Sequence, residues 1–198
     1  MPLVVFYKKI IKRKLKERLN MDKKYEKLVF ELPTEHNEIV GIGDDPDYIM
    51  SPQAYFRGGT QIPGAKYNCG FQIFVKPCFL DRIPHHHKVE EYLVFTGATF
   101  PNLFDFDADI EFSIGKVGVD AEIYHITKPT IIRVPPEIDH CPLHFKRVDK
   151  PVLFQAMLQQ DMFSIIYDTE DGGQKELRYN GPLPCKQDQK KKCNSCRS

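Results

Sequence analysis

From residue 27 onward, apolar and polar positions alternate in short runs, the period-2 pattern of half-buried strands. The runs predict strands at Lys27–Leu32, Cys69–Lys76, Glu90–Thr96, Asp109–Ile114, Ala121–Ile126, Thr130–Val134, Val152–Leu158 and Met162–Tyr167. Gly115-Lys116-Val117-Gly118 and Asp171-Gly172-Gly173 punctuate them like hairpin turns, while Asp44-Asp45-Pro46 and Ser51-Pro52 mark loops on the way into the domain. Short strands set apart by Gly, Pro and Asp turns predict an all-β sandwich or barrel. A jelly-roll barrel is the natural form, because it manages exposed edges by wrapping two sheets together.

The pattern changes at both ends. Phe6, Ile10, Ile11, Leu15 and Leu19 recur at helical spacing among lysines and arginines, which predicts a basic, helical N-terminal extension over residues 1–26. The barrel domain is expected over residues 27–180, and residues 181–198 form a flexible Lys/Cys-rich tail. The formal net charge of +1 hides this division. Residues 1–20 carry +6 and residues 185–198 carry +4, which leaves −9 on residues 21–184. An acidic body argues against a nucleic-acid binder, whose basic face lies on the folded domain itself. The apolar run Leu3–Tyr7 precedes its positive charges, the reverse of a secretory signal. No run approaches the roughly 20 apolar residues of a membrane span. Met21-Asp22-Lys23-Lys24-Tyr25 reads like an ordinary protein start, so residues 1–20 are expected to be an upstream-start extension or a loosely attached helix. Membrane docking by that basic helix is the lesser alternative.

Candidate chemistry concentrates in one stretch, His85-His86-His87-Lys88-Val89-Glu90-Glu91-Tyr92-Leu93-Val94-Phe95. Alternate residues of a strand share a face, so His85, His87 and Glu91 point one way, with Leu93 and Phe95 continuing that face. His86 and Glu90 point the other way, and a bulge at Lys88-Val89 would exchange Glu90 for Glu91. Adjacent histidines after Ile83-Pro84 are also compatible with a solvated loop. His140, behind the turn Pro135-Pro136-Glu137-Ile138-Asp139, tips the balance, because two strands can then supply ligands to one cation.

The spacing His85-x-His87-x3-Glu91 resembles the first metal-binding motif of the cupin superfamily. Pro135-x-Glu137-x2-His140-x3-His144 resembles the second, which runs proline, glycine, histidine, asparagine. The resemblance covers roughly residues 69–158. It implies a cupin-type double-stranded β-helix with His85, His87, Glu91 and His140 as metal ligands. The chain departs from the family at Phe79, Pro129 and Glu137, which stand where glycines are usual, and at His144, which replaces asparagine.

Three imidazoles and one carboxylate suit Fe(II), Mn(II), Ni(II), Co(II) or Zn(II) and leave two positions on a six-coordinate ion. The resemblance implies a metal-dependent isomerase, lyase or dioxygenase acting on a small oxygenated anion, or alternatively a non-catalytic sensor or storage module. His144, four residues after His140, is expected on the same face as an acid/base or substrate contact if the strand continues through Pro142. Residues 55–72 are expected to form an arm over the barrel mouth, where Arg57 receives a substrate carboxylate. An ion pair of Arg57 with an acidic surface side chain is the plainer reading. The family also makes a homodimer an expectation.

Other motifs carry less. Asp105-x-Asp107-x-Asp109 opens like a calcium loop, but Ile110 and Lys116 stand where glycine and glutamate are needed. It reads better as a strand with one acidic face. Cys193-x-x-Cys196, with Cys185, is an incomplete zinc set in a Lys-rich tail. Without a signal peptide, the six cysteines are expected as reduced thiols of a cytoplasmic protein. Cys141 alternates with His140 and is expected to pack away from the centre.

Overall fold

The structure, a computed structural model, describes residues 25–32, 34–35, 48–50 and 52–179. The chain divides into two units, Met1–Glu31 and Leu32–Ser198. In the first, Glu26–Leu28 forms a single 3-10 turn, closed by the Leu28 and Val29 amides. A strand over Lys27–Leu32 is therefore not formed. Leu28, Val29, Phe30 and Leu32 stay exposed. The expected N-terminal helix and C-terminal tail, with Cys185, Cys193 and Cys196, lie outside the described residues.

Among its described residues the second unit has twelve strands. They are β1 (Thr34–Glu35), β2 (Gln53–Arg57), β3 (Asn68–Phe74), β4 (Cys78–Asp81), β5 (Glu91–Gly97) and β6 (Ala108–Ile114). There follow β7 (Glu122–Ile126), β8 (Thr130–Val134), β9 (His140–Val148), β10 (Val152–Leu158), β11 (Phe163–Asp168) and β12 (Gln174–Tyr179). One helical turn, α1 (Gly58–Gln61), joins β2 to β3. A six-stranded sheet runs β1-β2-β3-β10-β5-β8, a four-stranded sheet runs β4-β9-β6-β7, and β11 pairs with β12. Every pairing is antiparallel. From β3 to β10 the chain crosses between the two main sheets at each step except the β6–β7 hairpin. This is an all-β jelly roll.

Alternation explains the core. Along β5 the buried positions are Glu91, Leu93, Phe95 and Gly97, with half-buried residues between them. Ile110 and Phe112 from β6, Leu143 and Phe145 from β9, and Phe154 from β10 meet them from neighbouring strands. Phe74 stacks on Phe145 with centroids 4.0 Å apart and meets Phe154 edge-on. Each buried phenylalanine contributes about 1.5–3 kcal/mol relative to an exposed one.

Two local expectations are corrected. Residues 55–72 are not a separate arm, because β2 and β3 pair in register within the six-stranded sheet, Arg57 opposite Asn68. The acidic alternation becomes strand only from Ala108. Asp105 and Asp107 precede it and pair with Lys150 and Arg147. No helix among the described residues is long and apolar enough to cross a membrane.

Candidate metal centre

The three consecutive histidines run between two strands and bond to each in turn. The amides and carbonyls of His85 and His140 bond reciprocally at 3.0 and 2.8 Å. Those of His86 do the same with Ile166, at 2.9 Å each way. His87 gives its carbonyl to the Glu137 amide. Alternation does the rest: His85 and His87 turn inward, and His86 turns outward to Asp139, 2.8 Å away. Glu91 begins β5 facing inward. Its neighbour Glu90 faces out and pairs with Arg133, so no bulge exchanges the two carboxylates.

Inside, donor atoms of His85, His87 and His140 all lie within 4.8 Å of one another. Glu91 Oε2 lies 3.1 Å from His140 Nε2 and 3.5 Å from His87 Nε2. All four residues are at most 5% exposed. Phe163 packs edge-on against His87, and Phe112 lies beside His140, which lines the cluster with aromatic walls.

Each imidazole donates from Nδ1 to a main-chain carbonyl: His85 to Ile83 at 2.8 Å, His87 to Ser164 at 2.6 Å, and His140 to Ile138 at 3.1 Å. A carbonyl only accepts, so the proton sits on Nδ1 and each Nε2 carries a lone pair. Nε2 of both His87 and His140 is buried without a hydrogen-bond partner. Lone pairs and a carboxylate thus face one another in a dry space, an arrangement that calls for a cation.

Titration behaviour agrees. Burial pushes the His85 imidazole down to about 3, helped by neighbouring His140. Burial would raise Glu91, yet the close approach of the His140 and His87 imidazoles outweighs it and holds the carboxyl below its ordinary range. Burial would likewise lower His140, but the Glu91 carboxylate beside it prevails and raises it. A proton shared by His140 and Glu91 relieves one contact and leaves His87 Nε2 bare. A divalent ion relieves all of them, so this donor set fits one.

His144 does not share the face of His140. Between Phe112 and Ile114 of β6, the partner on β9 moves from Leu143 to His140, three residues against two. The extra residue is a bulge at Cys141, whose φ is 75°, and it reverses the alternation beyond it. Leu143 and Phe145 therefore face the core, and His144 faces outward. There it stacks on Phe79 with centroids 3.7 Å apart and lies 3.8 Å from Glu111. The same bulge corrects the expectation for Cys141. Its buried thiol lies beside His85 and Asp81, their donor atoms within 4.8 Å of one another. Desolvation raises that thiol well above its usual range, so it stays a neutral neighbour. Asp81 Oδ2 is 3.7 Å from His85 Nδ1 and adds a carboxylate behind that ligand. No sequence pattern marked Asp81 or Asp139.

Arg57 lies on the inner face of its sheet, in the cross-strand row Arg57–Asn68–Leu158–Glu91. Its guanidinium rests 5.0 Å from the centroid of the Tyr55 ring. The row puts it three strands from Glu91.

Fold and cluster together define a jelly-roll protein with a candidate metal centre. Comparison with solved structures finds similar chains. The oxalate decarboxylase of Lactobacillus farciminis in complex with formate is 13% identical, with a TM-score of 0.44, over 69% of this chain and 33% of that one. The oxalate decarboxylase of Bacillus subtilis, a protein with Mn(II) centres, is 12% identical, with a TM-score of 0.42, over 59% and 27%. Vicilin from hazelnut, Corylus avellana, is 12% identical, with a TM-score of 0.42, over 75% and 34%. This chain thus spans about a quarter to a third of those proteins. No protein-family profile matches it, and no curated protein does.

Proposed function

We propose that this chain is a metal-dependent cupin in which His85, His87, Glu91 and His140 hold one divalent transition metal: Fe, Mn, Ni, Co or Zn. The observation that carries the proposal is the convergence of three Nδ1-protonated imidazoles on a buried carboxylate, with lone pairs facing inward. We further propose that it is an enzyme acting on a small oxygenated anionic metabolite. Four protein ligands leave two positions on a six-coordinate ion. Bound there, such an ion polarises a carbonyl or activates water or dioxygen, the chemistry of isomerases, lyases and dioxygenases.

The chain's own residues have defined parts in this reading. Glu91 offsets charge, the Phe112 and Phe163 walls exclude water, and Arg57, at the far end of the row, receives the distal carboxylate of a substrate that carries one. Free thiols at Cys69, Cys78 and Cys141 suit a reducing, cytoplasmic setting, and a homodimer is part of the same proposal.

A second reading has its own support. His144, the acid/base candidate on β9, points away from the centre, which favours a non-catalytic sensor or storage cupin. Metal analysis of protein purified without oxygen, beside His85→Ala and His140→Ala, tests the metal. One equivalent in the wild type and none in the variants is expected, and equal content in all three would sink it. Turnover in the metal-loaded protein that His87→Ala abolishes separates enzyme from binder.

A further inference from the structure

The inner face of the six-stranded sheet has two halves. Across β10, β5 and β8 it is apolar, with Leu93, Phe95, Val134, Phe154 and Leu158 buried. Across β2 and β3 the same face carries Gln53, Tyr55, Arg57, Asn68 and Gln72. Register fixes this: Gln53 lies in line with Gln72, Phe154 and Phe95, and Arg57 with Asn68, Leu158 and Glu91.

Most of this polar half satisfies itself. Gln53 Oε1 accepts from the Tyr55 hydroxyl at 2.5 Å and from Gln72 Nε2 at 3.5 Å. Asn68 is the exception. It is 4% exposed, its Nδ2 donates to the Gln160 carbonyl, and its Oδ1 has no partner. Gln160 Nε2, on the residue that Asn68 holds, is a buried donor also without one. Native interiors rarely leave such groups unpaired unless water or a ligand completes them. Asn68 sits two strands from Glu91 in the same row, roughly 10 Å between backbones at the usual strand spacing. Between them lies Leu158, and the next row along the sheet holds Ala156 and Gly70 on these two strands, with the Tyr55 ring lying over Gly70.

We infer that Asn68 selects the ligand of the metal centre by accepting a hydrogen bond from its hydroxyl group, so that the ligand is a short hydroxylated carboxylic acid. One end meets the metal ligands, the chain crosses Leu158, and the hydroxyl reaches Asn68 Oδ1. A hydroxyl fits better than an ammonium because it donates to Asn68 and also accepts, as the unpaired Gln160 amide requires. This assignment rests on the metal-binding reading above and deepens it.

The test uses calorimetric titration of metal-loaded protein with 4-hydroxybutyrate against butyrate, and with 6-hydroxyhexanoate against hexanoate. Each pair differs by one hydroxyl. Wild type is expected to favour the hydroxylated acid of at least one pair about tenfold, the worth of one hydrogen bond at a buried site. Asn68→Ala should reduce that preference to within about twofold, with metal content unchanged; Asn68→Ser makes the same comparison if the alanine variant does not fold. Equal binding within both pairs in metal-replete wild type overturns the inference and points to a buried water at Asn68. A preference that survives in the variant also overturns it. Failure of the wild type to hold metal is read separately by metal analysis, and strikes the underlying metal reading instead.

Discussion

Two of the histidine and carboxylate groups among the described residues make a contrast, because one has the making of a metal site and the other does not. Inside, His85, His87, His140 and Glu91 are buried, and among the described residues no lysine or arginine pairs with Glu91. On the outer face of the four-stranded sheet, Glu111 lies between His125 at 3.7 Å and His144 at 3.8 Å. Lys146 already occupies that carboxylate at 2.7 Å and holds it below the usual range, and His125 Nδ1 turns to Asp109 at 3.0 Å. The ingredients match; the arrangement does not. The inner imidazoles have their Nδ1 hydrogens committed to carbonyls and their lone pairs converging. The outer ones are solvated, and their anion is neutralised.

The largest effect should separate the two groups outright. His87→Ala and His140→Ala are expected to weaken metal binding by more than about 100-fold, beyond the loss typical of outer-shell changes. His125→Ala and His144→Ala should leave metal content at the wild-type level by elemental analysis. Metal lost on mutating His144 instead would erase the contrast.

Acid should come next, and act on the metal-free protein through the inner group. Below pH 6.5 the unfolded chain protonates His85, which the fold resists down to about 3, so stability falls as pH drops through that window. His140 has the opposite sign: raised in the fold, it stabilises below 6.5 and loses that contribution as pH rises through its folded value. Glu91, depressed in the fold, adds a further loss as pH falls below its ordinary 4.5. Chemical denaturation of the apo-protein is therefore expected to show greatest stability near pH 6.5. Between pH 6.5 and 4.5 the slope should approach about 1.4 kcal/mol per pH unit, one net proton. A flat profile over that range would contradict the assigned environments.

A smaller effect should come from behind the ligands. His86 and Asp139 tie the segment carrying His85 and His87 to the turn carrying His140, on the outside of the wall. Asp139→Ala is expected to weaken metal binding about tenfold without abolishing it. Least affected should be Lys146→Ala, which breaks an exposed pair. No change in metal content and a melting shift of no more than about 2 °C are expected.

Much of this was readable from the chain. Alternation placed β3, β5, β6, β7, β8, β10 and β11, and it put His85, His87 and Glu91 on one face. β12 escaped because Gln174-Lys175-Glu176-Leu177-Arg178-Tyr179 lacks an apolar alternation. β2 escaped because its inner positions, Gln53, Tyr55 and Arg57, are polar or amphipathic. The orientation of His144 was illegible for a different reason. The bulge at Cys141 is a backbone event, set by how β9 meets β6, and it inverts the alternation through Phe145, until a second register shift restores it. Asp81 ends β4 only four residues before His85, but the intervening turn breaks the alternation, so strand parity gave no hint that the two meet.

The postures of the three imidazoles depend on the oxygens of Ile83, Ser164 and Ile138, which belong to the main chain. Exchanging those three side chains leaves the oxygens in place, so an alanine scan would pass over the scaffolding that aims the cluster. The pocket around it is thereby free to drift in sequence, and to accommodate different guests, while the aim of the rings is preserved.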